Sequence, residues 1–101
     1  MFERDEGHLY ELQDVTDKIE SSVQIIGFMK RIDGKIVQDG TTNEEVLRMM
    51  IARMEYLQEK ISCRENSIVI TKLEECLMWL EHRTKLRIEQ KVETKDLSHK
   101  S

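Results

Sequence analysis

Two amphipathic runs with almost nothing between them constrain this chain more than any other feature. In TNEEVLRMMIARMEYLQEK (residues 42–60), Val46, Met49 or Met50, Met54 and Leu57 recur at helical spacing. In SCRENSIVITKLEECLMWLEHRTKLR (residues 62–87), Val69, Leu73, Cys76, Leu77, Leu80 and Thr84 form a second stripe. Thr42 stands three residues before Glu45, and Ser62 three before Glu65, so each run opens with the pattern of a capping box. The turn between the runs is confined to a few residues around Ile61 and Ser62. Two helices joined so tightly must lie antiparallel, which predicts a helical hairpin over residues 42–94.

Upstream, the pattern is different. Leu9, Leu12, Val15 or Thr16 and Ile19 recur at intervals of three and four, which predicts a helix over residues 4–20. Residues 22–40 are rich in Val, Ile and Phe around Asp33-Gly34, the strongest short hairpin signal, and predict a β-hairpin pairing 24–32 with 35–38. Apolar periodicity fades beyond Lys91, leaving residues 95–101 as an expected flexible tail. The expected class is α+β, mostly α, with residues 1–94 as a single domain. With 101 residues and 39% hydrophobic content a monomer buries only a thin core, so self-association is expected. Five aromatics and no proline argue against a β-sandwich or barrel.

A net charge of −4 and the lack of a Lys/Arg cluster disfavour polymeric nucleic acid as a partner. A small anion is still accessible, because one arginine pocket holds it whatever the overall charge. The N-terminus lacks the apolar core of a signal peptide and no run approaches a membrane span, so a cytoplasmic protein without a membrane partner is expected. Cys63 and Cys76 lie 13 positions apart on one expected helix, about 20 Å, too far for a disulfide, and neither has metal-ligand spacing.

The three histidines fit no nucleophile-activating motif, and the glycines at 7, 27, 34 and 40 make no phosphate loop. Glu44-Glu45 and Glu74-Glu75 raise a metal-dependent nucleotide pyrophosphohydrolase as one alternative. That chemistry needs a further carboxylate one turn along, and Met78 stands four positions after Glu74. No enzyme, cofactor or metal is therefore expected. What is left is a binding set: Tyr56, Asn66, Arg31, Arg83 and Arg87. An aromatic ring stacks on a base, a carboxamide pairs with a base edge and guanidinium groups grip phosphate.

Asn66 and Arg83 are 17 residues apart, about 25 Å along a straight helix, beyond the span of one small nucleotide. Two chains packed antiparallel would bring one copy's Asn66 to the other's Arg83, in two equivalent sites. Tyr56 and Asn66 flank the bend and belong to the same end.

The runs TNEEVLRMMIARMEYLQ and CRENSIVITKLEECLMWLEHRTKLRIEQKVE resemble the helical-hairpin domain of phage sponge proteins that counter the CBASS and Thoeris immune systems of bacteria, above all the Thoeris anti-defence 1 family. The resemblance covers about residues 42–94. It implies a phage-encoded, non-catalytic homo-oligomer, a dimer or a trimer of dimers, acting in the host cytoplasm. Such a protein sequesters cyclic nucleotide signals, either glycocyclic ADP-ribose or cyclic di- and trinucleotides. It further implies that Tyr56, Asn66 and Arg83 line a pocket between two chains, with Arg31 matching a basic residue of the β-element. Arg87 joins them through its place one turn beyond Arg83. A structural or protein-interaction hairpin of a phage accessory protein is the other alternative.

Overall fold

A computed structural model describes residues 1–15 and 24–99, with side chains through Lys91. The protein is α+β and mostly helical: five short strands precede two helices. It divides into two compact units, Met1–Asn43 and Glu44–Ser101.

In the first unit, β1 (Phe2–Asp5), β2 (Leu9–Leu12) and β3 (Gln24–Gly27) form an antiparallel sheet in the order β1-β2-β3. The helix expected over residues 4–20 is therefore corrected through Leu12, and residues 16–20 lie outside the described residues. Two features override the helical spacing of Leu9 and Leu12. Gly7 takes a φ of 76° in the turn that closes β1 on β2, where His8 N–H donates to the Asp5 carbonyl at 2.9 Å. β2 then finds in β3 a partner far along the chain, pairing Tyr10 with Ile26 and Leu12 with Gln24. Such pairing satisfies backbone groups that a three-residue periodicity says nothing about.

The second sheet pairs β4 (Lys30–Ile32) with β5 (Lys35–Gln38). Asp33 and Gly34 have φ values of 52° and 78°, the two positive angles of a type I′ turn, as the Asp-Gly dipeptide predicts. The expected first strand 24–32 is split, since its residues 24–27 pair with β2 instead. Residues 22 and 23 lie outside the described residues. Thr41 closes the unit: its N–H donates to the Gly27 carbonyl at 2.8 Å, and Met29 N–H donates to the Thr41 carbonyl at 3.0 Å. Tyr10 and Phe28 meet edge to face at 5.8 Å between ring centroids.

The second unit is the expected hairpin of α1 (Asn43–Lys60) and α2 (Arg64–His99). α1 starts one residue after Thr42, where the capping-box pattern places it. α2 continues to His99, so the tail expected from residue 95 is corrected to helix as far as His99. Arg48 of α1 bonds Glu81 of α2 at 3.1 Å, while Gln58 bonds Ser67 at 2.7 Å. Climbing α1 thus descends α2, the antiparallel arrangement. The half-buried positions are Glu44, Val46, Leu47, Ile51, Met54, Leu57 and Gln58 on α1 and Asn66, Ile70, Leu73, Leu77 and Leu80 on α2. The seam is thus rotated from the expected stripes: Leu47, Ile51 and Ile70 enter it, while Met49, Met50, Val69, Cys76 and Thr84 are exposed. No hydrophobic residue among those described is fully buried.

Candidate functional site

The hairpin bend is built by side chains that finish one helix and start the next. Ile61 N–H donates to the Leu57 carbonyl at 2.9 Å and ends α1. Ser62 does not cap α2 as the sequence pattern suggests; its hydroxyl donates to the Gln58 carbonyl at 3.0 Å. Cys63 precedes the first helical residue instead, and its carbonyl accepts from Ser67 N–H at 3.3 Å. The Gln58 carboxamide accepts from Cys63 N–H at 3.0 Å and donates to the Ser67 hydroxyl. A local Ser-x-x-Glu pattern cannot reveal this competition, because Gln58 belongs to the preceding helix.

Asn66 lies in the first turn of α2, half-buried on the seam row that Leu73 and Leu80 continue at seven-residue intervals. Tyr56 is at the same end of the hairpin but on another face. It is two residues from both Met54 and Gln58, so it points about 200° of helical rotation away from the seam. Its ring is 54% exposed, and the Lys60 ammonium sits 5.3 Å from the ring centroid. An aromatic face available for stacking and a neighbouring cation are thus presented outward.

Arg83 and Arg87 stand one turn apart on α2, both exposed. Arg83 continues the row of Val69 and Cys76 at seven-residue intervals, and Arg87 continues the row of Asn66, Leu73 and Leu80. Asn66 and Arg83 lie on this one helix, so ~1.5 Å of rise per residue keeps them about 25 Å apart. Arg31 is an exposed residue of β4 in the first unit, cross-strand from Ile36. The structure thus groups Tyr56 with Asn66 at the bend and Arg83 with Arg87 farther along α2.

An open groove of about 430 Å³ between the helices contains none of these five residues. Its lining combines Ile51, Ala52, Leu77 and Met78 with Glu55, Glu74 and Glu81. Arg48 also lines it, but that guanidinium already bonds Glu81 and Glu45. Three carboxylates around one neutralised cation repel phosphate, so the groove does not suit an anionic nucleotide. Glu74 and Glu75 diverge: Glu74 faces this groove, while Glu75 pairs with Lys72 at 3.6 Å. Trp79, 63% exposed, meets His82 edge to face at 5.8 Å, a pairing that no sequence motif announces.

A small strand-built unit followed by a tight antiparallel hairpin, with polar and aromatic groups at the bend and arginines on the long arm, defines a helical-hairpin protein. The Acb2/Tad1 hairpin-domain family model matches residues 20–85, and the chain belongs to that family. Tyr56, Asn66, Arg83 and Arg31 fall inside the matched range; Arg87 falls two residues beyond it. The chain is also 48% identical over 56 residues to Thoeris anti-defense 1 of Bacillus phage SBSphiJ7. That stretch covers 54% of this chain and 39% of the relative, so the chain matches well under half of the relative's length.

Proposed function

We propose that this protein is a phage anti-defence sponge: it binds a cyclic nucleotide immune signal and holds it without cleaving it. Membership of the Acb2/Tad1 hairpin family is the observation that carries the reading. The name of the matched phage relative supports a role against a bacterial defence system. The ligand is glycocyclic ADP-ribose or a cyclic di- or trinucleotide. Tyr56 stacks on a base, Asn66 reads a base edge, and Arg83 with Arg87 neutralises phosphate, with Arg31 contributing a further cation.

The working unit is a homo-oligomer, a dimer or a trimer of dimers. Support comes from the ~25 Å between Asn66 and Arg83, from the outward direction of Tyr56 and from the lack of a fully buried hydrophobic residue among those described. Pairing two hairpins antiparallel shares each ligand between the bend of one copy and the arginine arm of the other. Val69 and Cys76, exposed on the row that ends at Arg83, supply apolar surface for that pairing.

A thermal-shift screen against glycocyclic ADP-ribose isomers, cyclic dinucleotides and cyclic triadenylate tests the reading. A ligand that binds only the folded state adds about 2.7 kcal/mol of stability at a hundred times its dissociation constant. One class should raise the melting temperature, and denaturing the complex should return the ligand intact. Recovery of a hydrolysed product would overturn sequestration, and no shift across the panel would overturn the ligand class.

A further inference from the structure

Three hydrogen bonds at the bend converge on Gln58. Its Nε2 donates to Ser67 Oγ at 2.7 Å, its Oε1 accepts from Cys63 N–H at 3.0 Å, and its backbone carbonyl accepts from Ser62 Oγ at 3.0 Å. Asn66 sits inside the segment so held, between Cys63 and Ser67. The N–H groups that open a helix have no intrahelical partner, and the first turn frays unless something outside the helix satisfies them. Here one of them, Cys63 N–H, is satisfied from the neighbouring helix by a side chain that also holds the Ser67 hydroxyl. A carboxamide suits the task, because it accepts at one atom and donates at the other.

We infer that Gln58 is a positioning residue for ligand binding: it clamps the first turn of α2 onto the end of α1 and so holds the Asn66 carboxamide in place before ligand arrives. The inference rests on the cyclic nucleotide reading, which assigns Asn66 its ligand contact. The clamp acts by preorganisation. Without it the first turn of α2 must be ordered when the ligand binds, and affinity falls by that cost. The bonds are solvent-exposed, so each is worth an ordinary net hydrogen bond and not the larger penalty of a buried orphan. Gln58 itself need not touch the nucleotide.

The test is a double-mutant cycle on the full chain, with Gln58→Ala, Ser67→Ala and both together. Dissociation constants for glycocyclic ADP-ribose, cyclic di-AMP and cyclic triadenylate are read by calorimetry well below each variant's melting temperature. Ser67→Ala, which removes one bond, should weaken the best of these ligands by roughly three- to tenfold, the range of one net hydrogen bond, and Gln58→Ala, which removes two, by at least as much. The double variant should lose little more than Gln58→Ala alone, because that change already removes the bond to Ser67. Ser67→Thr, which keeps the hydroxyl, should bind as the parent does. Should Gln58→Ala fold poorly, Ser67→Ala and Ser67→Thr carry the comparison. Variants that melt earlier yet bind within twofold of the parent would overturn the inference while leaving the sponge reading intact. A parent that binds none of the three would remove the sponge reading and the clamp's role in binding together.

Discussion

Arg48 on α1 reaches Glu81 on α2, Nη2 to Oε1 at 3.1 Å, while its other terminal nitrogen bonds Glu45 one turn back at 3.4 Å. One guanidinium thereby records the antiparallel register of the two helices and joins them across 33 residues of sequence. Arg48 and Glu81 are 49% and 54% exposed, so water screens the pair and its two long side chains lose rotamer freedom to form it. Arg48→Ala is expected to cost less than about 1 kcal/mol by urea denaturation. A loss several times larger would mean that another chain covers this edge.

Gly40 and Gly34 should respond very differently to alanine. A Cβ on Gly40 would lie 2.5 Å from the Gly27 carbonyl oxygen and 2.7 Å from the Phe28 carbonyl carbon, and backbone atoms held by the Thr41 and Met29 hydrogen bonds have little room to yield. Gly40→Ala is expected to destabilise the first unit by about 2–4 kcal/mol. Gly34 has open space around it and only a φ of 78° to defend, so Gly34→Ala should cost about 1–2 kcal/mol. Amide chemical shifts of residues 24–41 would report both; equal effects would refute the close approach at Gly40.

If two hairpins pair along the Val69–Cys76 row, Val69→Glu places a carboxylate in that interface while leaving the Leu73–Leu77 seam within each chain untouched. The variant should sediment as a smaller species than the parent and keep its helical circular dichroism. An unchanged assembly would move the interface to another face.

Arg83→Ala should weaken cyclic nucleotide binding by about 1.5–3 kcal/mol, the scale of a hydrogen bond to a charged group, with little change in melting temperature because Arg83 is exposed. Calorimetry decides it, and titration indistinguishable from the parent would show the arginine to be a solvated surface charge.

Tyr10 links the first sheet to pH. Desolvation, followed by the neighbouring Glu3 carboxylate, raises its phenol above the ordinary value of 10.0. A group whose folded pKa is raised holds its proton more tightly in the native state. Its contribution to stability is therefore complete below about pH 10 and declines as pH rises from there through the folded value. Tyr10→Phe should remove that alkaline dependence. If the parent's melting temperature is flat from pH 9 to 11, the phenol is not held as described.

What could be read from local chemistry was the hairpin. The run from Asn43 to Lys60, the short bend and the run from Arg64 are each specified by residues three or four apart, and Asp33-Gly34 announces its own turn, because such interactions need no distant partner. The family resemblance was legible for the same reason, since the residues that carry it lie within two consecutive helices. Finer rotation of the seam was not legible: Met49 and Leu47, or Val69 and Ile70, are equally apolar, and only the register recorded by Arg48–Glu81 and Gln58–Ser67 selects which face turns inward.

Residues 4–12 show the opposite case. Their spacing favours a helix, yet Leu9–Leu12 forms a strand between β1 on one side and Gln24–Gly27 on the other, and the latter is a partner that no short window of sequence contains. At the bend the competition is local, with Gln58 displacing the Ser62 cap that the Ser-x-x-Glu pattern advertises. Short-range hydrogen bonds and periodicity thus determine the helices and tight turns, while strand pairing and seam rotation depend on groups brought together only when the chain folds, since their free energy comes from contacts between distant segments.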